Sequence, residues 1–421
     1  MKRLNTLIKA IFLVTVTLLL FSHYCNAQFV NNGSIITVTS GELLYSDASF
    51  INTANGTFVN NGIVITNSSL NNNAGSFLSG NGIYKMQTNF TNNGNFNAGN
   101  STLEFIGSGN SSLKNKSGNI YYLFVNKNEN TYINMLDDEQ VLKSVVFMKD
   151  KNWIYLNTHT LTLGANCTVP DYSNKRFFVT NDSGALIKKD IGTTAFTFPV
   201  GFNSSTFNPV YIIENGTPGD YSVRCLQNAL LNGATGDAIS ANGIKSSWFI
   251  NKTVLAGSNA TINARWKNTD ELPGFDYTHC MVVRYNGNKW DFNSNLTGIA
   301  DGNKFHNISR NNNSSFGYFT VVSSTPSFNI INGDELFANT LKLKVYPTIV
   351  QNNLNIDVPS DKSIKTMNIN ILDATGKIIW QKQNADFQPQ HITLPMLAAG
   401  MYTVYIEYAD KKFVQKILVN Q

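Results

Sequence analysis

Few residues in this chain are of a type and spacing that does chemistry. Asp137, Asp138 and Glu139, with Lys143 close behind, form the one acidic cluster that has a base nearby. Paired carboxylates beside a base are what a glycoside hydrolase or polysaccharide lyase requires. The same run also fits a solvated turn, as does Asp270-Glu271. His159, His279, His306 and His391 are dispersed, and His279 beside Cys280 has no third ligand at metal-binding spacing. His-Glu-x-x-His, Gly-x-Ser-x-Gly, a phosphate loop and Cys-x-x-Cys are all missing from the sequence. The expectation is therefore a non-enzyme, with no catalytic, cofactor-binding or metal residue assigned. Trp248, Trp266, Tyr285 and Trp290 are the candidate glycan contacts, because aromatic faces suit the C–H faces of sugars. On alternating strands a place in the core is the simpler reading of the same residues.

The composition narrows the class further. Of 421 residues only 14% are charged, where about 25% is ordinary, and about 60 asparagines take their place. A hydrophobic fraction of 42% is ample for packed cores. Lys2, Arg3, the apolar run Ala10–Phe21 and small residues at Cys25 and Ala27 read as an export signal over 1–27. Its apolar stretch is too short to span a bilayer, and nothing else in the chain reads as a transmembrane segment. Without it the balance is 29 basic against 27 acidic residues, which argues against a nucleic-acid binder. The remaining Cys167, Cys225 and Cys280 allow at most one internal disulfide, and three buried thiols are the simpler reading.

An all-β fold follows from the patterning. Between residues 28 and 110 the charges are Glu42, Asp47, Lys85 and Glu104, against 18 asparagines. Gly56, Gly75 and Gly94 are spaced by 19 residues, as are Phe58, Phe77 and Phe96. A repeat of aromatic, Asn-Gly turn and β-branched run at 50–107 suits one coil of a parallel β-solenoid per unit, with irregular antiparallel β as the competing reading. Short strands continue to about residue 194. Alternating strands over 195–325, with a hairpin at Tyr285-Asn286-Gly287-Asn288-Lys289-Trp290, predict an antiparallel β-sandwich. A polar linker covers 326–340.

The last 81 residues alternate most regularly and predict seven short strands in a second sandwich. Gly376 and Gly400 fall where turns need freedom from a side chain. Val345-Tyr346-Pro347, Leu354-Asn355-Ile356, Ile371-Leu372-Asp373-Ala374-Thr375-Gly376-Lys377, then Leu394, Leu397, Gly400, Tyr402 and Val404, and finally Lys411, Lys412, Lys416 and Ile417 occur in order. Residues 341–421 thereby resemble the type A C-terminal sorting domain of type IX secretion cargo in Bacteroidetes. Thr348-Ile349 stands where that family usually has Asn-Pro. The resemblance implies that Tyr346, Pro347, Asp373, Gly376, Lys377, Gly400, Tyr402, Lys411 and Lys416 belong to the sorting signal. It also implies the type IX machinery as partner, and release or attachment to surface lipopolysaccharide at the outer membrane of a Gram-negative cell. Such a tail speaks to address alone. The expected function is an exported, non-enzymatic, adhesin-like protein that meets extracellular glycans. A carbohydrate-active enzyme with an unrecognised site is the alternative, and a pure scaffold a third reading.

Overall fold

The structure is a computed structural model that describes residues 28–291, 299–301, 304–323, 343–358, 364–408 and 411–420. The expected export signal (1–27), the linker (326–340) and the side chain of Lys411 lie outside the described residues. Two compact units divide between Ser327 and Phe328.

The first unit begins as a stack of short strands. Phe29–Asn32, Ile35–Val38 and Leu43–Ser46 make one three-sided coil, and the next coils lay their strands in parallel on these. The result is a parallel β-solenoid of about eight turns. Its sides are a nine-stranded ladder sheet running from Phe29–Asn32 to Val200–Gly201, a four-stranded short sheet ending at Asn95–Asn97, and a spanning sheet that starts at Leu43–Ser46. Along each strand alternate residues point inward, so Phe50, Phe58, Val64, Leu70, Tyr84 and Phe90 fill the interior. Coil corners need backbone that most residues resist: Gly80 has φ +108, and a Cβ there would lie 2.0 Å from the Asn60 carbonyl oxygen.

The repeat is real, but its phase differs from a uniform 19 residues. On the short sheet Phe58 stacks on Leu78 and Leu78 on Phe96, steps of 20 and then 18. Leu78 is therefore the buried residue, and Phe77 is 46% exposed. Corner length is the cause: four residues separate Asn72 from Phe77, but two separate Asn92 from Asn95.

Inside the ladder sheet, a buried asparagine occupies the same place in five successive coils. The Nδ2 of Asn31 donates to Oδ1 of Asn52, Asn52 to Asn72, Asn72 to Asn92 and Asn92 to Asn115, at 2.7 to 2.9 Å. Each amide also bonds corner carbonyls; Asn72 donates to Ser76 and Asn95. The ladder ends at Asn115, whose backbone N–H donates to Oε1 of buried Glu139 at 2.6 Å. Burial pushes the Glu139 carboxyl up to about 8, and its Oε2 has no partner. Buried Lys127 and Lys188 take over as corner staples: Lys127 Nζ donates to the carbonyls of Gln87 and Ile106, and Lys188 Nζ to those of Gly164 and Ala165.

The antiparallel sandwich grows from the solenoid without a break. The spanning sheet is parallel as far as Ala185–Ile191 and then adds Gly219–Leu226, Ser247–Lys252, Gly317–Ser323 and Cys280–Arg284 antiparallel, twelve strands in all. A platform sheet of Phe196–Phe198, Val210–Glu214, Ala260–Lys267, Phe305–Asn313 and Ile299–Asp301 lies opposite. One core runs from Val38 to Val321. Phe177 and Val179 point outward from the ladder sheet and are covered by Phe207 and Phe305. Within the sandwich, Glu214 and Lys252 are both fully buried and 2.8 Å apart. Burial alone would raise the Glu214 carboxyl; hydrogen bonds from Lys252, Ser258, Tyr221 and the Asn259 amide outweigh it and hold it down at about 2. Cys167, Cys225 and Cys280 are buried.

Asn72→Leu keeps the shape but takes a partner from two corner carbonyls and from both asparagine neighbours, Asn52 and Asn92; a loss of about 2–3 kcal/mol is expected on denaturant titration. Glu139 holds its proton in the fold at pH values where the unfolded chain, titrating near 4.5, has lost it. Stability therefore falls as pH rises from 4.5 through 8 and is flat above. Glu139→Gln removes that slope: melting at pH 8 should rise by roughly 2 °C or more, with little change at pH 4.5.

Candidate functional site

The acidic cluster does not assemble into a site. Asp138 is exposed, with Oδ1 accepting the Thr160 N–H at 2.7 Å, and Oδ1 of Asp137 accepts the Asp138 N–H. Lys143 is exposed further along the strand Glu139–Phe147, while Glu139 points into the core. Asp270 accepts from Asn208, and Glu271 Oε1 sits 3.0 Å from Trp266 Nε1 and 2.5 Å from His306 Nδ1, so both acids brace the sandwich. His279 pairs with Asp276 at 2.9 Å in solvent while Cys280 turns inward. Among the described residues no group of three or more His, Cys, Asp or Glu is placed to hold a metal ion.

The tryptophans proposed as a glycan platform are interior. Trp248 and Trp266 are fully buried and Trp290 is 1% exposed. Their indole N–H groups are spent on the Asn208 carbonyl, on Glu271 and on the Leu230 and Leu231 carbonyls. Tyr285, half-buried, packs edge-on against Trp290 across the expected hairpin, with Gly287 at φ +94. Strand parity is the reason: Ile262, Ala264 and Trp266 share the inward face of Ala260–Lys267.

The opposite parity builds a different surface. Thr261, Asn263, Arg265 and Lys267 face outward on that strand, and Tyr211 does so on Val210–Glu214. Cross-strand register places Thr197, Tyr211, Asn263 and Ser309 side by side in one row and sets Arg265 opposite Asn307 in the next. Together with Pro209 and with Tyr172, from the long coil corner before Arg176–Val179, they line a cleft of about 560 Å³. Asn263 Nδ2 donates to Ser309 Oγ at 2.9 Å and to Asn307 Oδ1 at 3.2 Å. The Arg265 guanidinium lies 4.2 Å from the centre of the Phe305 ring. Tyr172 packs against the Phe177–Phe207–Phe305 cluster beside Trp153 and Tyr155, and Tyr155 is 4.7 Å from Tyr132 on the outward solenoid face. Two phenol rings, amides, hydroxyls and one guanidinium converge here, and among the described residues the lining holds no carboxylate. Such a set recognises ring faces and hydroxyl groups. Alternation in ATINARWK marks the outward side chains; the approach of Tyr172 is tertiary and leaves no local signal.

Among the described residues the C-terminal unit has eight strands, one more than expected. Lys344–Tyr346, Asn353–Asp357 and Gln390–Thr393 form one antiparallel sheet. The other is ordered Ile349–Val350, Lys411–Val419, Gly400–Tyr408, Thr366–Leu372, Ile378–Asp386, the added two-residue strand pairing in parallel. Val345, Leu354, Ile356, Ile369, Ile371, Val404, Ile406 and Ile417 fill the space between. The Tyr346–Pro347 peptide is cis, and the Tyr346 hydroxyl donates to Asp357. Asp373 organises the turn between Thr366–Leu372 and Ile378–Asp386: its Oδ1 accepts from the Thr375 N–H, the Thr375 hydroxyl and the Lys377 N–H. The Thr375 hydroxyl bond chiefly holds the Asp373 carboxyl below its usual range. Gly376 has φ +85, as a tight turn requires. Gly400 differs from expectation: it opens a strand at ordinary φ, and a Cβ there would meet nothing within 4 Å. Tyr402 donates to the Ala398 carbonyl, and Pro347, Lys377 and Lys416 are exposed.

Residues 344–420 match the family described as the secretion system C-terminal sorting domain. No curated protein matches the chain. Gly376→Val, a β-branched residue at positive φ, should lower the stability of the tail by about 1–2 kcal/mol and reduce the amount of protein outside the cell on fractionation, whereas Lys377→Ala leaves the melting transition of the tail in place. By its sorting tail, this protein is a cargo of type IX secretion.

Proposed function

We propose that the exported protein is a non-enzymatic, adhesin-like component of the surface or secretions of a Gram-negative, Bacteroidetes-type cell, and that it holds polysaccharide in the cleft of the platform sheet. The observation that carries this is the lining itself: Tyr172 and Tyr211 supply flat apolar faces, while Asn263, Asn307, Ser309 and Thr197 supply hydrogen-bonding groups in fixed register. Sugars present those same two kinds of surface. A hydrolase or lyase would need acids flanking the bound chain, typically two carboxylates about 5–10 Å apart. Among the described residues the lining contains none, and the acids named above are spent on turns and braces. The leader over 1–27 fits entry into the general secretory route, and retention on surface lipopolysaccharide fits the tail.

Tyr211→Ala removes a ring face from an outward position and should leave melting unchanged. Affinity electrophoresis of the full chain in gels containing soluble polysaccharides should show retardation that the variant loses by about tenfold or more. Equal retardation of both proteins would remove the cleft from the reading, and release of new reducing or unsaturated ends would favour the enzyme.

A further inference from the structure

The outer face of the spanning sheet is largely apolar where it crosses the first six coils. Cross-strand register sets one outward row in the order Tyr45, Ile65, Lys85, Glu104, Phe124, Val146. The row beside it holds Leu43, Ile63, Ile83 and Tyr122. Leu43, Tyr45 and Ile63 are exposed, and the other apolar side chains of the two rows are half-buried. A contiguous apolar face of this kind marks an interaction surface. We infer that a second copy of the chain lies on it, antiparallel, solenoid against solenoid.

The order of side chains along the first of these rows points to a copy of itself. Lys85 and Glu104 stand at its midpoint, paired at 3.0 Å, with two apolar residues on either side. A two-fold axis running along the strands, between these two coils, turns the row end for end. Lys85 then faces Glu104 of the second copy, Ile65 faces Phe124, and Tyr45 faces Val146. In the neighbouring row Ile63 faces Tyr122. Hydropathy is symmetric about the midpoint and charge antisymmetric, as a self-complementary contact requires. Four charges alternate in sign around the axis, so each stays compensated when water leaves. Asn126 Nδ2 donates to Glu104 Oε1 at 2.7 Å and holds that carboxylate in place. Size agrees with a reversible contact. Six strands about 4.8 Å apart and about five residues long make a face of roughly 500 Å² per copy, about 1,000 Å² in all, the scale of a weak interface. The antiparallel sense leaves the two platform sheets at opposite ends of the assembly, and the pairing does not depend on what their clefts hold.

Sedimentation equilibrium of the full chain tests this. Between about 2 and about 200 μM the parent should pass from monomer to dimer. Ile63→Glu, at an exposed position, sets an uncompensated charge opposite Tyr122 and should weaken dimerisation about tenfold or more, with melting unchanged. Charge reversal then reads the axis. Lys85→Glu alone sets carboxylate against carboxylate across it, and Glu104→Lys alone sets ammonium against ammonium, so each variant should sediment as a monomer. An equimolar mixture of the two should dimerise again, because each copy offers the charge that the other lacks. Melting curves separate lost pairing from lost folding, and if a reversal fails to fold the Ile63→Glu result decides alone. A parent chain that stays monomeric, an assembly that Ile63→Glu leaves intact, or a mixture of folded reversal variants that stays monomeric would each overturn the antiparallel dimer.

Discussion

Buried amide groups that must each find a partner govern this molecule. In a coil only three short strands around, every corner turns backbone carbonyls toward the interior, where water cannot reach them. An asparagine at one fixed place per coil answers that demand, giving its side-chain N–H groups to corner carbonyls and to the next asparagine. A charged residue there would carry its desolvation cost into every neighbouring coil. The scarcity of charge and the abundance of asparagine are thus two results of one constraint. Where the ladder stops at Asn115 the short sheet has already ended, the coils become two-sided, and Glu139, Lys127 and Lys188 take the buried polar positions.

Much of this was legible in the chain before folding, for identifiable reasons. Asn-Gly corners and β-branched runs recur because the coil repeats, so the solenoid could be read directly. Its register could not, because corner lengths of two and four residues average to a period that no single step obeys, so Phe77 keeps the 19-residue spacing of Phe58 and Phe96 and yet lies at the surface. In the sandwich the decisive signal was strand parity. Trp266 and Arg265 are neighbours in sequence, yet one closes the core and the other faces the cleft. Aromatic residues attract attention as ligand platforms, but three of the four tryptophans in the sandwich and its approaches gain most by burial with their indole N–H satisfied. The cleft needs Tyr172 brought up from a solenoid corner, a long-range event with no local pattern. The tail was the reverse case. Its motifs are turns and strand starts, all local, and only the role of Gly400 and the two-residue strand Ile349–Val350 differed.

The export address occupies its own part of the chain. Asp373, Gly376 and the alternating core of the C-terminal unit make a compact fold with no evident chemistry, and that fold carries the export information. Upstream, the platform sheet presents its hydrogen-bonding groups in rows because its strands pair in register.

The seamless passage from solenoid to sandwich has a thermodynamic corollary. With one sheet and one core shared throughout, the two halves of the first unit have no boundary at which to come apart, and disassembly must begin at a free end. Among the described residues that end is the first coil, whose three strands each terminate a sheet and whose Ile35 and Leu43 are 80% and 60% exposed. Fraying there peels away turns remote in sequence from Tyr211 and Arg265, so the outermost coils act as a sacrificial buffer ahead of the platform-sheet cleft.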